Sequence, residues 1–590
     1  MTKRMLFVCT SATMLFITLI GWIVASSAAS KAAPPQRSEF AQQVDLTPLK
    51  SVAVYDQGML KSFDSFASSM MQLISGPHAI NGHTDAFAYL DIMLRPQVYE
   101  DVDAIYVKNK PMRGEIADAL GRSLDETLPT GQLTDNQKEI RTSIEHRLQR
   151  LTKTGLVSSR MLFDTKVQSL LDEKARDLMR TANAVQQIRI GLFVMQAQEL
   201  AGNLRIIPPP GTGTDIPWLT VDSFLATHAH EASDQGEKLH TQMQEAWMNL
   251  SQNWQGQDVA ATNEAVAQLA SLLPQINPGL YPQQEKLSWE SWYFSAKNMT
   301  WVWMIYLLAI VFLLMGVAYK WNTSRWIGFS VFALAFAFQT AAIALRWYVS
   351  GRWPNSNMFE AVTTSAWFGG CVAVILEIIA RRSAMRGLFS LSSAVGSMVA
   401  LMCAHFMPVQ LNPNISNMMP VLHDVWLYIH TNVIIFSYLL ITMAAVIAFL
   451  YLIYRLGGGK PDYVRVGGAG SMIIKSPNGD SYLADAKSSA GQILDGATMV
   501  LMELAFILLW TGLVMGAIWA DHSWGRPWGW DPKEVFALNT FIILALLVHV
   551  RMKVKDKGLW TALLAITGCA VMLFNWIAIN FLIVGLHSYA

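Results

Sequence analysis

Trp301 to Tyr319 reads WVWMIYLLAIVFLLMGVAY, nineteen residues with no charged side chain. A helix of that length rises about 29 Å, enough to cross the hydrocarbon core of a bilayer. Working outward, comparable runs occur at about Ile327 to Leu345, Ala361 to Ile379, Leu388 to Phe406, Leu427 to Tyr451, Ala497 to Trp519, Val535 to Val550 and Trp560 to Val584. With 52% hydrophobic and only 15% charged residues, the pattern predicts an all-α polytopic membrane protein. An eight-helix transmembrane bundle is expected over residues 298–590. One further apolar run, Met5 to about Ala29, follows Lys3-Arg4, and residues 1–30 read as a signal peptide or an N-terminal membrane anchor.

Between these lies a polar stretch, residues 31–297, with no spanning run. Apolar residues recur at three and four from about Lys166 to Ala201, the helical period. Pro208-Pro209-Pro210-Gly211 breaks it, and further helices fit Thr220 to Glu231, Glu237 to Trp254 and Val259 to Leu273, the last stopped by Pro274. A mainly helical exported domain is expected, with no catalytic signature. Sidedness comes from the short loops, because cytoplasmic ones carry excess Lys and Arg. Lys320 and Arg325, then Arg381, Arg382 and Arg386, then Arg551, Lys553, Lys555 and Lys557 mark alternate loops as inside. The soluble domain and the loops Arg346 to Glu360, Met407 to Trp426 and Ala520 to Glu534 are then outside. Arg346 and Arg352 run against this bias, which suggests a local job for their charge. The inside loop Gly457 to Gln492 is glycine-rich, with a hairpin-like run at Met472 to Gly479.

Composition also excludes. A net charge of +1 gives no electrostatic footprint for nucleic acid. The four cysteines, Cys9, Cys371, Cys403 and Cys569, are scattered in apolar segments, which argues against a disulfide framework or a zinc site. No C-x-x-C occurs, so the chain by itself runs no dithiol exchange. Without C-x-x-C-H it carries no covalent haem.

The chemistry concentrates between residues 519 and 534. Trp519, Trp524, Trp528 and Trp530 are followed by Asp531, Pro532, Lys533 and Glu534. An interfacial aromatic belt accounts for one or two tryptophans at such a place. Four in twelve residues, interleaved with Gly525 and Gly529, fit an apolar slab that a flat ligand can approach closely. His430 opens the span entering from outside and His587 follows the last span, so topology brings both to the level of this loop. Imidazole is the usual protein ligand of haem iron, although a lone interfacial histidine is more often merely solvated. His549 lies fifteen residues after Glu534, about 22 Å further along the same helix. It reads either as a residue snorkelling beside Arg551 or as a haem ligand near the inner end. His405, His423 and His522 read as solvated, and the soluble-domain histidines, among them His78, His83, His228 and His230, show no metal spacing.

Trp524-Gly525-Arg526-Pro527-Trp528-Gly529-Trp530-Asp531-Pro532-Lys533-Glu534 resembles the WWD signature of haem-handling proteins, and the membrane half is similar to the CcsA/ResC family of System II cytochrome c biogenesis. Trp426 to His430 before Ser437-Tyr438, Gly585 to Tyr589, Arg346-Trp347-Tyr348 and Gly351 to Glu360 carry the same resemblance. It implies that His430 and His587 ligate the iron of a non-covalent b-type haem in transit, beside the tryptophan loop. By the same resemblance His549 is a transmembrane haem ligand. It also implies a separate ResB/CcsB-type membrane partner, since the N-terminal run holds no histidine. An apocytochrome c bearing C-x-x-C-H and a thiol-reducing protein that keeps it reduced complete the set. The expected function is presentation of haem for thioether attachment, as a component of a holocytochrome c synthase in the cytoplasmic (inner) membrane, with the soluble domain and WWD loop on the periplasmic side. Trp524, Gly525, Trp528, Trp530, Asp531 and Glu534 are the expected contacts, with Arg346 and Arg352 pairing with the propionates. Asp521-His522 stands where an asparagine-led stretch is expected. The alternatives are a haem exporter or chaperone without ligation chemistry, a b-type cytochrome redox subunit, and a haem-free scaffold.

Overall fold

The computed structural model describes residues 38–129, 133–177, 181–209, 217–226, 234–408, 410–417, 424–464 and 489–580. The N-terminal apolar run, His228, His230, His423, the 472–479 run and His587 lie outside the described residues. The chain divides into two compact units, one ending at Ser295 and the other beginning at Ala296.

Among the described residues the first unit is mainly helical, with two short antiparallel strand pairs, the hairpin Ala53–Asp56 with Met59–Ser62 and the long-range pair Ile105–Tyr106 with Leu156–Val157. Its core is pinned by a polar knot. Asp91 accepts from the indole of fully buried Trp254 at 2.8 Å and from the hydroxyl of Tyr99 at 2.6 Å, and it pairs with Arg95 at 2.5 Å. The helix expected over Lys166 to Ala201 is instead three helices, Thr165–Ala175, Ala182–Val194 and Ala197–Asn203. The Thr181 hydroxyl donates to the Lys174 carbonyl at 2.6 Å, satisfying a group at the end of the first. Periodicity missed the breaks because Val167, Leu171, Val185 and Ile188, on both sides of one, are all buried. The helix expected to stop at Pro274 runs on to Ile276. So close to the end, a proline forfeits one backbone bond and leaves the earlier turns intact.

In the second unit eight helices are long and apolar enough to cross a membrane among the described residues: Lys297–Tyr319, Asn322–Ser350, Met358–Arg382, Leu388–Phe406, Val425–Leu456, Ala490–Trp524, Pro532–Lys553 and Lys557–Ile579. The protein is therefore an integral, multi-pass membrane protein of the all-α class. The fifth span, Val425–Leu456, is the hub, packing against the third, fourth, sixth and eighth. The fifth and sixth spans, 32 and 35 residues long, exceed the roughly 20 residues that a hydrocarbon core requires. Both carry helical structure beyond it.

Candidate functional site

The tryptophan segment is shorter as a loop than the sequence suggested. The sixth span stays helical through Trp524 and is capped by Gly525 in the left-handed region at φ 68°, whose N–H donates to the Asp521 carbonyl at 2.9 Å. His522, expected in the loop, is thus on the helix, and Trp519 is buried with its ring 4.9 Å edge-on to Trp524. At the other end Asp531 is the N-cap of the seventh span, Pro532 its first residue, and Glu534 the third position of a capping box. The Glu534 carboxylate accepts from the N–H groups of Gly529 at 2.9 Å and Asp531 at 3.2 Å. Asp531, itself buried, accepts from Lys533 N–H at 3.2 Å. Asp531 and Glu534, expected as ligand contacts, therefore act by holding the loop closed.

Between these caps two indoles are presented. Trp528 and Trp530 lie edge to face, 6.0 Å apart at 84°. Trp530 is 73% exposed and sits at φ 55°, a conformation that costs a non-glycine residue about 1 kcal/mol or more. The Trp528 indole N–H is buried with no hydrogen-bond partner. An exposed indole held in strain beside an unsatisfied donor fits a surface built to receive something flat with a polar edge.

His430 is set by the sixth span. Its Nδ1 lies 2.7 Å from the carbonyl oxygen of Gly512, so Nδ1 carries the proton and Nε2 is the basic nitrogen. A backbone carbonyl on one ring nitrogen fixes the tautomer and the ring's orientation, leaving the other nitrogen able to bind a metal. A Cβ on Gly516 would fall 2.5 Å from the His430 ring, and one on Gly512 would fall 2.6 Å from Ile434. The Gly512-x-x-x-Gly516 pair thus makes the groove in which the fifth span and the imidazole lie. Gly516 is eight residues before Trp524, about 12 Å below it along the helix.

Residues 351–357 brace the same place. Trp353 donates its indole N–H to Asn432 at 2.9 Å and Asn355 donates to Thr431 at 3.3 Å, gripping the two residues that follow His430. The loop's base is Glu360, fully buried and paired with Arg346 at 2.8 Å and Arg352 at 2.9 Å. Arg346 has no exposed surface and also donates to the Pro413 carbonyl at 2.8 Å, so it anchors the loop and does not reach a ligand. Arg352 is 14% exposed at its side chain, and two guanidiniums facing one carboxylate leave an excess positive charge there.

His549 is different. It is exposed on the outside of the bundle, with Nδ1 turned to the Ala545 carbonyl at 2.8 Å. Two residues on, Arg551 points the other way. It is 1% exposed and holds Asp495 of the sixth span at 2.5 Å, with Thr561 and the Val464 carbonyl as further acceptors. Arg551 therefore neither snorkels nor offers its charge to an inner surface, because Asp495 neutralises it within the bundle. Two residues turn a helix by about 200°, so a buried Arg551 turns His549 outward.

Of the expected site residues, the structure ties His430 to the sixth span and joins Arg346 with Arg352. It closes the loop with Gly525, Asp531 and Glu534, presents Trp528 and Trp530, and leaves His549 apart. Sequence reasoning missed Gly512 and Gly516, although a Gly-x-x-x-Gly in an apolar helix signals close helix approach. It missed Trp353, Asn355 and Glu360 as bracing, and Asp495, which fell outside the span drawn from residue 497.

The cytochrome c assembly protein family model matches residues 355–587, a segment holding His430, Asn355 and Glu360 of the bracing, the tryptophan segment and His549. Among curated proteins, the cytochrome c biogenesis protein CcsA of Prochlorococcus marinus (strain NATL1A) is 31% identical over 265 residues, 43% of this chain and 81% of the relative. This chain belongs to the CcsA family. CcsA of Porphyra purpurea is 30% identical over 264 residues, 42% of this chain and 82% of its own. CcsA of Parasynechococcus marenigrum (strain WH8102) is 29% identical over 261 residues, 44% and 84%. The match falls on the membrane half, and the first unit lies outside it. As a CcsA-family protein it takes part in cytochrome c biogenesis.

Proposed function

We propose that this protein receives haem in the cytoplasmic membrane and presents it on the outer face for covalent attachment to apocytochrome c. The observation that carries the reading is the seat of His430: a backbone carbonyl fixes its tautomer and a glycine clears room for its ring. His430 Nε2 and His587 are the proposed axial ligands of the substrate haem iron. Trp524, Trp528 and Trp530 supply the apolar face against which the macrocycle rests. Arg352, with its excess charge, is the better candidate for a propionate by a charge-assisted hydrogen bond.

Each thioether forms when a cysteine S–H adds across a vinyl C=C, with sulfur bonding one carbon and the proton ending on the other. The step consumes no oxidant or reductant. The protein's part is to position the haem edge and keep the iron coordinatively saturated while apocytochrome thiols approach. His549 is the proposed ligand of haem in transit within the membrane. Its outward exposure supports completion of that site by a ResB/CcsB-type partner.

The test is to purify the protein with its partner and record haem content and axial-ligation spectra for His430→Ala and His587→Ala. Loss of bis-histidine features in each is expected, whereas unchanged spectra in both overturn the assignment. Co-expression with an apocytochrome separates ligation from export, since an exporter yields no covalent holocytochrome.

A further inference from the structure

The helix Gln284–Ser295 closes the first unit and ends two residues before Lys297, where the first span begins. One of its faces is locked inward: Leu287, Glu290, Ser291 and Tyr293 are buried. Glu290 accepts from Ser62 N–H at 3.1 Å and from the Ser65 hydroxyl at 2.5 Å, and Ser291 donates to Asp64 at 3.2 Å. With that face fixed, the helix cannot turn its other side in. That other side carries Trp289 and Trp292, 44% and 48% exposed, with rings 5.8 Å apart edge to face. Glu285 and Ser288 are exposed beside them.

Two large indoles left in water side by side need a partner. Chain connectivity names it. Trp292 is five residues from Lys297, so it lies within about 18 Å of the point where the chain enters the membrane. The backbone leaves its helical path between, at Lys297, Asn298 and Met299 with φ near 52°, 51° and 54°. Tryptophan prefers the headgroup region, where its ring is apolar and its N–H is wet. A face that mixes two indoles with Ser288 and Glu285 suits that depth better than hydrocarbon, and exposed Lys297 adds a cation at the same edge.

We propose that Trp289 and Trp292 dock the helix Gln284–Ser295 in the lipid headgroup layer, tethering the first unit to the bilayer surface. The test uses the full chain in nanodiscs of mixed phosphatidylcholine and anionic lipid, with the native cysteines replaced by serine. Nitroxide labels go at Trp289→Cys, Trp292→Cys and Glu285→Cys, one at a time. The expected result is label mobility and oxygen accessibility typical of the headgroup layer at 289 and 292, with 285 more open to a water-soluble nickel complex. Full access to nickel at 289 and 292 overturns the proposal, and so does occlusion from both reagents, which would mean that protein covers the pair. Hydrogen exchange of the unaltered protein gives a second reading: amides 288–294 are protected to the same degree in both preparations if lipid plays no part, and more in nanodiscs than in a short-chain detergent if it does.

Discussion

His430 and His549 make an instructive pair, being the same residue type on the fifth and seventh spans of one bundle. His430 is built in: its ring lies against the sixth span, Nδ1 bonds Gly512, and Trp353 and Asn355 grip the two residues after it. His549 has only its own helix for company, bonding the carbonyl four residues back and facing out. Under the proposed function, the difference separates a site that this chain pre-organises by itself from one that another molecule would complete. A ligand to a bound substrate gains from being held before the substrate arrives. A ligand shared with a second protein must be on the surface.

The largest way to break the comparison is at the buried Arg551–Asp495 pair. Arg551→Ala leaves Asp495 buried without its counter-charge, a loss of about 3–5 kcal/mol. A marked drop in thermal stability in detergent is expected, along with faster hydrogen exchange at residues 490–495 and 546–551. Exchange around Gly512 and Gly516 should hardly move. Replacing both partners together, Asp495→Leu with Arg551→Met, should recover most of the stability. Gly516→Val comes next, since crowding a packed groove costs about 1–3 kcal/mol. Haem retained at the proposed His430 site should fall at least about tenfold, while a signal dependent on His549 persists; equal loss of both would mean the two proposed sites are not separable.

A smaller effect is expected from Glu534→Ala, which strips the cap from Gly529 and Asp531 and costs about 1 kcal/mol. The amides of those two residues should exchange faster, and haem should be held less tightly without a change of axial ligands. Smallest in stability is His549→Ala. An exposed side chain with one local hydrogen bond should shift the melting transition by no more than about 0.5 kcal/mol. Haem content of the complex with the membrane partner should nonetheless drop, and an unchanged content would remove His549 from the transport route.

Much of this was legible along the chain. The eight spans follow from apolar runs alone, because a bilayer tolerates only segments that satisfy their own backbone. Trp528, Trp530 and His430 stood out by density and placement, weighed against an aromatic belt and a solvated histidine. What could not be seen was division of labour inside the motif. Asp531 and Glu534 look like ligand contacts when written beside three tryptophans, yet their carboxylates close a helix cap. Arg346 looks like a free cation in an outer loop, yet Glu360, fourteen residues later, encloses it. Such pairings depend on which side chains meet in space, and short-range pattern does not encode that.

The sequence by itself determined the class of protein, its family and the residue types available for haem, since hydropathy and a dense motif are properties of the chain read in order. Only the tertiary structure decided that His430 has a seat and His549 does not. That difference comes from two glycines eighty or more residues after His430, and from Asp495 drawing Arg551 inward, which turns the opposite face of the seventh span outward.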